Sequence, residues 1–136
     1  MASTGRTDAV LVVEDDPQAL ELAIEVLTSG GYRAAGAGTV AEALAFVRGS
    51  PPDLVVLDVN LGAEDGLEVV RLLRDDPATR DIPVVASSAS TSQADIERVR
   101  VAGCESFLAK PLTPRGFLEG VERCLEAART APRDPG

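Results

Sequence analysis

The sequence predicts a doubly wound α/β domain, (βα)5, built on one parallel sheet of five strands. Short β-rich runs alternate five times with segments of helical period, and runs such as residues 54–57 are apolar at every position. Strands that are apolar on both faces are typical of a parallel sheet covered by helices on each side. We expect the domain to occupy residues 9–128, with a flexible N-terminal tail at 1–8 and a flexible C-terminal tail or linker start at 129–136.

The β-rich runs and the helical spacing of apolar residues locate the individual elements. The predicted strands are residues 9–13, 32–37, 54–58, 84–87 and 106–109. The clearest helical sets are Leu20, Ala23, Ile24 and Leu27, then Val40, Ala43, Leu44 and Val47, and finally Leu118, Val121, Leu125 and Ala128. Asp16, followed by a proline, and Thr39 are the expected N-caps of the first two helices. Gly30 and Gly49 begin the breaks that end them.

The composition, 45% hydrophobic and 26% charged, points to a soluble globular protein. The formal charge of −9 argues against direct binding to nucleic acid. We expect a cytoplasmic protein without membrane insertion, since no apolar run has the length of a membrane helix and the first residues lack a signal-peptide core. The chain has no histidine, so any phosphohistidine chemistry must come from a partner. Cys104 and Cys124 are expected to be buried hydrophobic side chains in a reducing compartment.

Reactive side chains follow four of the five predicted strands. They are Glu14 and Asp15 after the first strand, Asp58 at the end of the third, Ser87 and Ser88 at the fourth, and Lys110, the only lysine, after the fifth. Ligands of open α/β sheets bind at the carboxyl ends of the strands, where the strand order reverses. The second strand runs into uncharged residues 36–39 and is therefore expected to lie away from the site. This asymmetry favours the flavodoxin-like order 2-1-3-4-5.

Three carboxylates at one edge of the sheet predict a divalent metal site. Glu14, Asp15 and Asp58 would repel one another, and one of them would take up a proton unless a cation lay between them. Oxygen ligands without a thiolate or an imidazole suit Mg2+ or Mn2+. Taken alone, the acidic triplet at 14–16 is equally compatible with a solvated turn, and Asp16 is expected to act only as a helix cap. Asp58, at the end of another buried strand, favours the metal interpretation.

Asp58 is the residue that we expect to act as a nucleophile. A carboxylate can attack phosphorus to form an acyl phosphate, and this transfer depends on neutralising the phosphoryl oxygens. The metal would contact one oxygen, the Lys110 ammonium a second and the Ser88 hydroxyl a third. Taken singly, Lys110 is also compatible with an exposed lysine before a proline turn, and Ser88 with the start of a polar loop.

The order and spacing of these motifs resemble the receiver domain of two-component response regulators, of the chemotaxis-regulator type. The resemblance extends over about residues 9 to 128. The matching stretches are residues 10–16, 57–61, 65–66, 82–89 and 107–111. The resemblance implies a signalling phosphoprotein of a two-component system or phosphorelay. Such a protein is not an enzyme in the usual sense, because it catalyses only its own phosphorylation and dephosphorylation.

The resemblance also implies a role for each residue of the site. Asp58 would accept phosphate from the phosphohistidine of a sensor histidine kinase or a histidine phosphotransfer protein. Asp15 and Asp58 would bind Mg2+ directly, Glu14 through a water molecule and Asn60 through its backbone carbonyl. Lys110 would contact the phosphoryl group, and its peptide bond to Pro111 is expected to be cis.

A switch is implied by Ser88 and Phe107, which fall on the hydroxyl and aromatic switch positions of the family. Phosphorylation would change the surface formed by the fourth helix, the fifth strand and the fifth helix, which would bind a downstream protein target or support a homodimer. Phe107 is also compatible with a half-buried aromatic residue that does not switch. Two positions depart from the family: Ser88 replaces the commoner threonine, and Gly62 replaces the commoner proline, so that the loop after Asp58 is expected to be more mobile.

Three other interpretations remain open from the sequence. The chain is compatible with a phosphorylation-independent, receiver-like interaction module, although such modules usually lose one of the acid, hydroxyl or lysine positions. A phosphatase of the haloacid-dehalogenase type would need a second aspartate two residues after the nucleophile, where this chain has Asn60. The chain is also compatible with a receiver cut from a longer regulator.

Overall fold

A five-stranded parallel sheet between two layers of helices forms the framework of the computed structural model, which describes residues 8–89, 92–110 and 112–130. The elements in chain order are β1 (Ala9–Val13), α1 (Pro17–Ser29), β2 (Arg33–Ala37), α2 (Val40–Gly49), β3 (Leu54–Asp58), β4 (Asn60–Leu61), β5 (Glu64–Asp65), α3 (Leu67–Asp75), β6 (Val84–Ser88), α4 (Gln93–Ala102), β7 (Ser106–Ala109) and α5 (Pro114–Thr130). The sheet has the order β2-β1-β3-β6-β7, and the two-residue strands β4 and β5 form a separate antiparallel hairpin. Without that hairpin, the order is the predicted 2-1-3-4-5, and the flavodoxin-like fold class is confirmed.

The ends of the elements differ from the predicted bounds by no more than two residues where both can be compared. Tyr32 lies outside β2, β6 continues to Ser88, and α5 continues to Thr130. Asp8, predicted to belong to the N-terminal tail, forms an ion pair with Arg129 near the end of α5. The rest of the predicted tails, at residues 1–7 and 131–136, and the predicted cis bond to Pro111 lie outside the described residues.

Both faces of the central strands are buried, as their unbroken apolar sequences predict. Every residue of β3 is buried, and successive side chains enter two separate cores. One core lies against α2, α3 and α4 and contains Val55 and Leu57. The other lies against α1 and α5 and contains Leu54 and Val56. The sheet is therefore covered on both sides, and its strand ends are the part left open to carry chemistry.

The predicted caps hold the first two helices in place. The Asp16 carboxylate accepts a hydrogen bond from the Gln18 N–H at 3.2 Å, and Pro17 occupies the first helical position. The Thr39 hydroxyl accepts one from the Glu42 N–H at 3.1 Å, and the Glu42 carboxylate accepts one from the Gly38 N–H at 2.8 Å. Each cap lies a short loop after a strand, so the caps help to fix the direction in which the chain leaves the sheet.

The sheet register aligns the strand ends that carry the predicted site. Asp58 pairs with Ser87 in β6, and Ser88 pairs with Ala109 in β7. The Lys110 N–H donates to the Ser88 carbonyl at 2.9 Å and so continues the ladder one residue past β7. The third, fourth and fifth long strands thus end at one level.

Arg74, near the C-terminus of α3, joins three segments on the opposite edge of the domain. Its guanidinium donates to the carbonyls of Gly103, Arg80 and Ile82 and forms an ion pair with Glu105 at 3.0 Å. The Glu105 carboxylate also accepts from the Val84 N–H at 2.8 Å, at the start of β6. The bonds to the carbonyls of Gly103 and Ile82 are part-buried, so these two carbonyls depend on Arg74 more than on solvent.

We expect Arg74→Met to lower the free energy of unfolding by about 2–3 kcal/mol, because methionine keeps the apolar stem but leaves the part-buried carbonyls of Gly103 and Ile82 without this donor. Urea unfolding measures the change. Arg100→Met is the matched control, since Arg100 is an exposed arginine of α4 that pairs with Glu97 and should leave stability nearly unchanged. Equal stability of the two variants would contradict the role assigned to Arg74.

Candidate functional site

Three carboxylates meet at the carboxyl end of the sheet. Glu14, Asp15 and Asp58 each offer an oxygen atom, and these atoms lie within 4.8 Å of one another. Asp58 is buried, with 7% of its surface exposed, while Glu14 is half-buried and Asp15 is exposed. Hard oxygen donors in this number suit a divalent cation such as Mg2+, which binds through a few carboxylates and keeps some of its water. The predicted acidic cluster therefore forms, and its donor set fits the predicted metal.

Lys110 reaches across the sheet edge to this acidic cluster. Its Nζ lies 2.9 Å from Oδ2 of Asp58 and 3.6 Å from Oε1 of Glu14. Burial alone would lower the pKa of Lys110, but the hydrogen bond and the charge of Asp58, with those of Glu14, raise it above its ordinary value. Burial and the adjacent Asp58 raise the pKa of Glu14, against the hydrogen bond from the Asp16 N–H and the charge of Lys110. The only lysine of the chain is thus a charged partner of the predicted nucleophile.

Backbone N–H groups hold two of the carboxylates. The Asn60 N–H donates to Oδ1 of Asp58 at 3.0 Å, and the Asp16 N–H donates to Oε2 of Glu14 at 3.2 Å. Asp58 therefore has one oxygen directed at a backbone donor and the other at Lys110. The structure brings Asn60 to the site through its N–H, and the metal contact assigned to its carbonyl stays a prediction.

The backbone at Asp58 lies so close to residue 66 that this residue must be a glycine. The Gly66 N–H donates to the carbonyl of Val59 at 2.7 Å, and a Cβ at residue 66 would lie 2.2 Å from the Asp58 carbonyl oxygen and 2.8 Å from that of Val59. No side chain fits that space. The sequence shows the glycine, but this reason for it becomes visible only when the chain folds back beside Asp58.

The loop after Asp58 contains the hairpin of β4 and β5, with Gly62 in its turn. Gly62 has φ +61°, which a proline, fixed near −65°, cannot adopt. This turn therefore excludes proline, the commoner residue of the family at this position, and accepts glycine. The greater mobility expected from the glycine stays a prediction.

Ser88 and Phe107 lie on adjacent strands, two rungs of the ladder apart. Ser88 ends β6 and is 3% exposed, and Phe107 lies in β7, which is an edge strand of the sheet. Phe107 is half-buried and packs against the core on the side of α2, α3 and α4. This position is compatible both with a switching aromatic residue and with a static one.

A cavity of about 260 Å3 opens beside the carboxylates and was not predicted from the sequence. It lies between α1 and α5 and reaches from Leu22 and Phe117 to Asp58 and Lys110. Leu22 is 59% exposed and falls outside the apolar stripe by which α1 was predicted. A leucine away from the buried stripe of an amphipathic helix is the signal that could have indicated this surface.

Comparison with known proteins identifies the family. A family model described as a response regulator receiver domain matches residues 10–122. The chain belongs to this family. The receiver domain is 35% identical over 119 residues to the polar-differentiation response regulator DivK of Brucella ovis, an alignment that covers 88% of this chain and 97% of DivK. The predicted family resemblance is confirmed.

Solved structures agree with this assignment. The chemotaxis protein CheY4 of Vibrio cholerae superposes with a TM-score of 0.83 at 25% identity, over 88% of this chain and 99% of that chain. The signal receiver domain of a signal transduction histidine kinase from Syntrophus aciditrophicus gives 0.82 at 27% identity, over 96% and 98%. Receiver domains of two-component systems are signalling proteins that act with a histidine kinase and a downstream target. Among the helices described for this receiver, none has both the length and the apolar content to span a bilayer.

The cysteines of the receiver domain are free thiols in apolar surroundings. Burial raises the pKa of Cys104 to about 12 and that of Cys124 to about 11. Cys124 is part of the core beneath α5, and Cys104 packs against the other core. Cys124 is buried, as predicted, whereas Cys104 is only half-buried.

We expect Gly66→Ala to lower the free energy of unfolding by about 1–3 kcal/mol, because the new methyl group must displace the backbone that carries Asp58. Urea unfolding measures the cost. Gly49→Ala is the matched control, since a Cβ at the last residue of α2 meets nothing within 4 Å. A Gly66→Ala protein as stable as Gly49→Ala would show that the loop yields freely at this point.

Proposed function

We propose that this receiver domain is a phosphoacceptor switch, in which Mg2+-dependent transfer from a partner's phosphohistidine to Asp58 controls a protein target. The observation that carries the proposal is the Asp58 carboxylate itself, which is buried, 2.9 Å from Lys110 Nζ and beside two further carboxylates. A structural ion pair would need only one acid. The two further acids, Glu14 and Asp15, give the site an excess of negative charge, which a divalent cation would neutralise.

In the proposed site, Asp15 and Asp58 would bind Mg2+ directly and Glu14 would bind it through a water molecule. The backbone carbonyl of Asn60 would be the remaining protein ligand. The bound cation would supply charge neutralisation and orientation to the phosphoryl oxygens. A manganese ion suits the same ligands.

The transfer exchanges one bond to phosphorus for another. An oxygen of Asp58 attacks the phosphorus in line, the P–N bond of the phosphohistidine breaks, and its electron pair returns to the partner's imidazole. Lys110, already within 2.9 Å of Asp58, then pairs with a phosphoryl oxygen in place of the carboxylate. No residue of this chain needs to act as a general base, because the attacking carboxylate carries no proton to remove.

The donor would be a sensor histidine kinase or a histidine phosphotransfer protein. Because the chain has no histidine, its phosphohistidine must come from outside. The cavity beside Asp58, with exposed Leu22 at its rim, supports a protein donor, since an apolar rim is suited to a protein contact. A charge of −9 does not favour nucleic acid, and we place this exchange in the cytoplasm, where both kinds of donor protein act.

The signal would leave through α4, β7 and α5. Within α4 only Val99 is buried, while Ile96 is 38% and Val101 71% exposed, so little apolar packing opposes a shift of this helix. Ser88 would be drawn to the phosphoryl group and Phe107 would move inward behind it. The altered surface would bind the downstream target or a second copy of the domain.

Intact mass after incubation with acetyl phosphate or phosphoramidate tests the acceptor role. We expect a gain of one phosphoryl group that requires Mg2+, because the small donors need the same charge neutralisation as a protein donor. EDTA should abolish the gain, and so should Asp58→Asn, which removes the nucleophile.

Asp53→Asn is the control for the loss of an aspartate, since Asp53 lies at the amino end of β3, where its carboxylate accepts from the Ala9 N–H at 2.8 Å. This variant should still gain the phosphoryl group. Folded wild-type protein that gains nothing from either donor would favour a phosphorylation-independent interaction module. A gain that persists in Asp58→Asn would place the acceptor elsewhere.

A further inference from the structure

The turn beside the proposed metal site has a backbone shape that depends on one glycine. Strands β4 and β5 pair Asn60 with Asp65 and Leu61 with Glu64, so residues 62 and 63 form a two-residue hairpin loop. Gly62 has φ +61°, and Ala63 does not have a positive φ. This sign pattern is that of a type II′ turn, which takes glycine at its first central residue.

The same glycine lies directly against a carboxylate of the acidic cluster. A Cβ built at residue 62 would be 3.0 Å from Oδ2 of Asp15, closer than ordinary van der Waals contact. Asp15 and Gly62 are both exposed, so this contact is at the open mouth of the site. A side chain at residue 62 would require the Asp15 carboxylate to shift by a few tenths of an ångström from its place near Asp58.

Hydrogen bonds and an ion pair connect the hairpin to α2, α3 and α4. The Glu64 carboxylate accepts from the Val40 N–H at 3.0 Å, at the first turn of α2. The Asp65 carboxylate accepts from the Leu67 N–H at 3.0 Å, at the start of α3, and its other oxygen lies 3.4 Å from the guanidinium of Arg98 in α4. A side chain added at residue 62 would therefore press on the exposed Asp15 carboxylate from a turn that is itself tethered, and the carboxylate is the group that can move.

We infer that Gly62 is a positioning residue for the divalent cation, since it lets the turn lie against Asp15 and so sets where that carboxylate stands relative to Asp58. The inference rests on the proposed function, because it concerns the same metal site. In this turn, alanine at position 62 would combine an unfavourable backbone conformation with displacement of Asp15. Only the second effect would reach the metal.

A Mg2+ titration followed by the NMR shifts of backbone amides near Asp58 tests this inference without phosphorylation. We expect Gly62→Ala to weaken Mg2+ binding by about tenfold, the lower end of the effect of displaced groups around a metal ligand. Gly31→Ala is the matched control: Gly31 also has a positive φ, of +96°, but a Cβ there meets nothing within 4 Å. Both variants should lose thermal stability, and only Gly62→Ala should lose affinity for Mg2+.

A double-mutant cycle identifies the route of the effect. In an Asp15→Asn background, Gly62→Ala should cause no further loss of Mg2+ affinity, because the carboxylate through which it acts is already gone. If Gly62→Ala does not fold, Gly62→Asn replaces it, since asparagine tolerates positive φ and still places a Cβ against Asp15.

The outcomes separate this inference from the proposed function. If Gly62→Ala binds Mg2+ as tightly as the wild-type protein does, the positioning role is overturned and the phosphoacceptor proposal stands. The positioning role is also overturned if Gly62→Ala lowers Mg2+ affinity by the same factor in the wild-type and the Asp15→Asn backgrounds. Folded wild-type protein that binds no Mg2+ would overturn the metal-dependent function and this inference with it.

Discussion

The contact between Lys110 and Asp58 is the interaction on which the rest of the site depends. Asp58 is 7% exposed, and a carboxylate at that depth is costly to keep charged without a partner. The only lysine of the chain supplies that partner from a different strand, at 2.9 Å. It also lies 3.6 Å from Glu14, so one cation faces two acids while Asp15 stands close by. The remaining excess of negative charge is what makes the edge receptive to a second, mobile cation.

The contact is possible because of how parallel strands end. Residues 58 and 110 are far apart in sequence, but β3, β6 and β7 are successive neighbours in register, and the chain leaves each strand at the same edge. Burial of both sheet faces fixes that register, since a shift of one residue would turn the apolar side chains of a strand to the opposite face. The packing of the cores thus sets the distance between the reacting groups.

Local sequence patterns could be predicted, whereas contacts between distant segments could not. Strand β3 was predicted with its observed bounds because an apolar run ending in Asp58 has a purely local signature. Gly66 and Arg74 have no such signature, since a 2.2 Å approach to the Asp58 carbonyl and a guanidinium shared among three carbonyls arise only when distant segments meet. Gly62 could be recognised as unusual from the family pattern, but its reason required the value of φ.

The hairpin after Asp58 connects the acidic cluster with α4, a helix with a single buried side chain. The Asp65 carboxylate accepts from the Leu67 N–H at the start of α3 and lies 3.4 Å from Arg98 of α4, while Gly62, at the turn of the same hairpin, lies against Asp15. Exposed ion pairs of this length contribute little to stability, so the pair with Arg98 biases the position of α4 only weakly. A weak bias can still matter for α4, because Val99 is the one buried side chain described for that helix. A group that rearranges the ligands around Asp58 therefore has a short physical path to α4, in addition to any movement of Ser88 and Phe107.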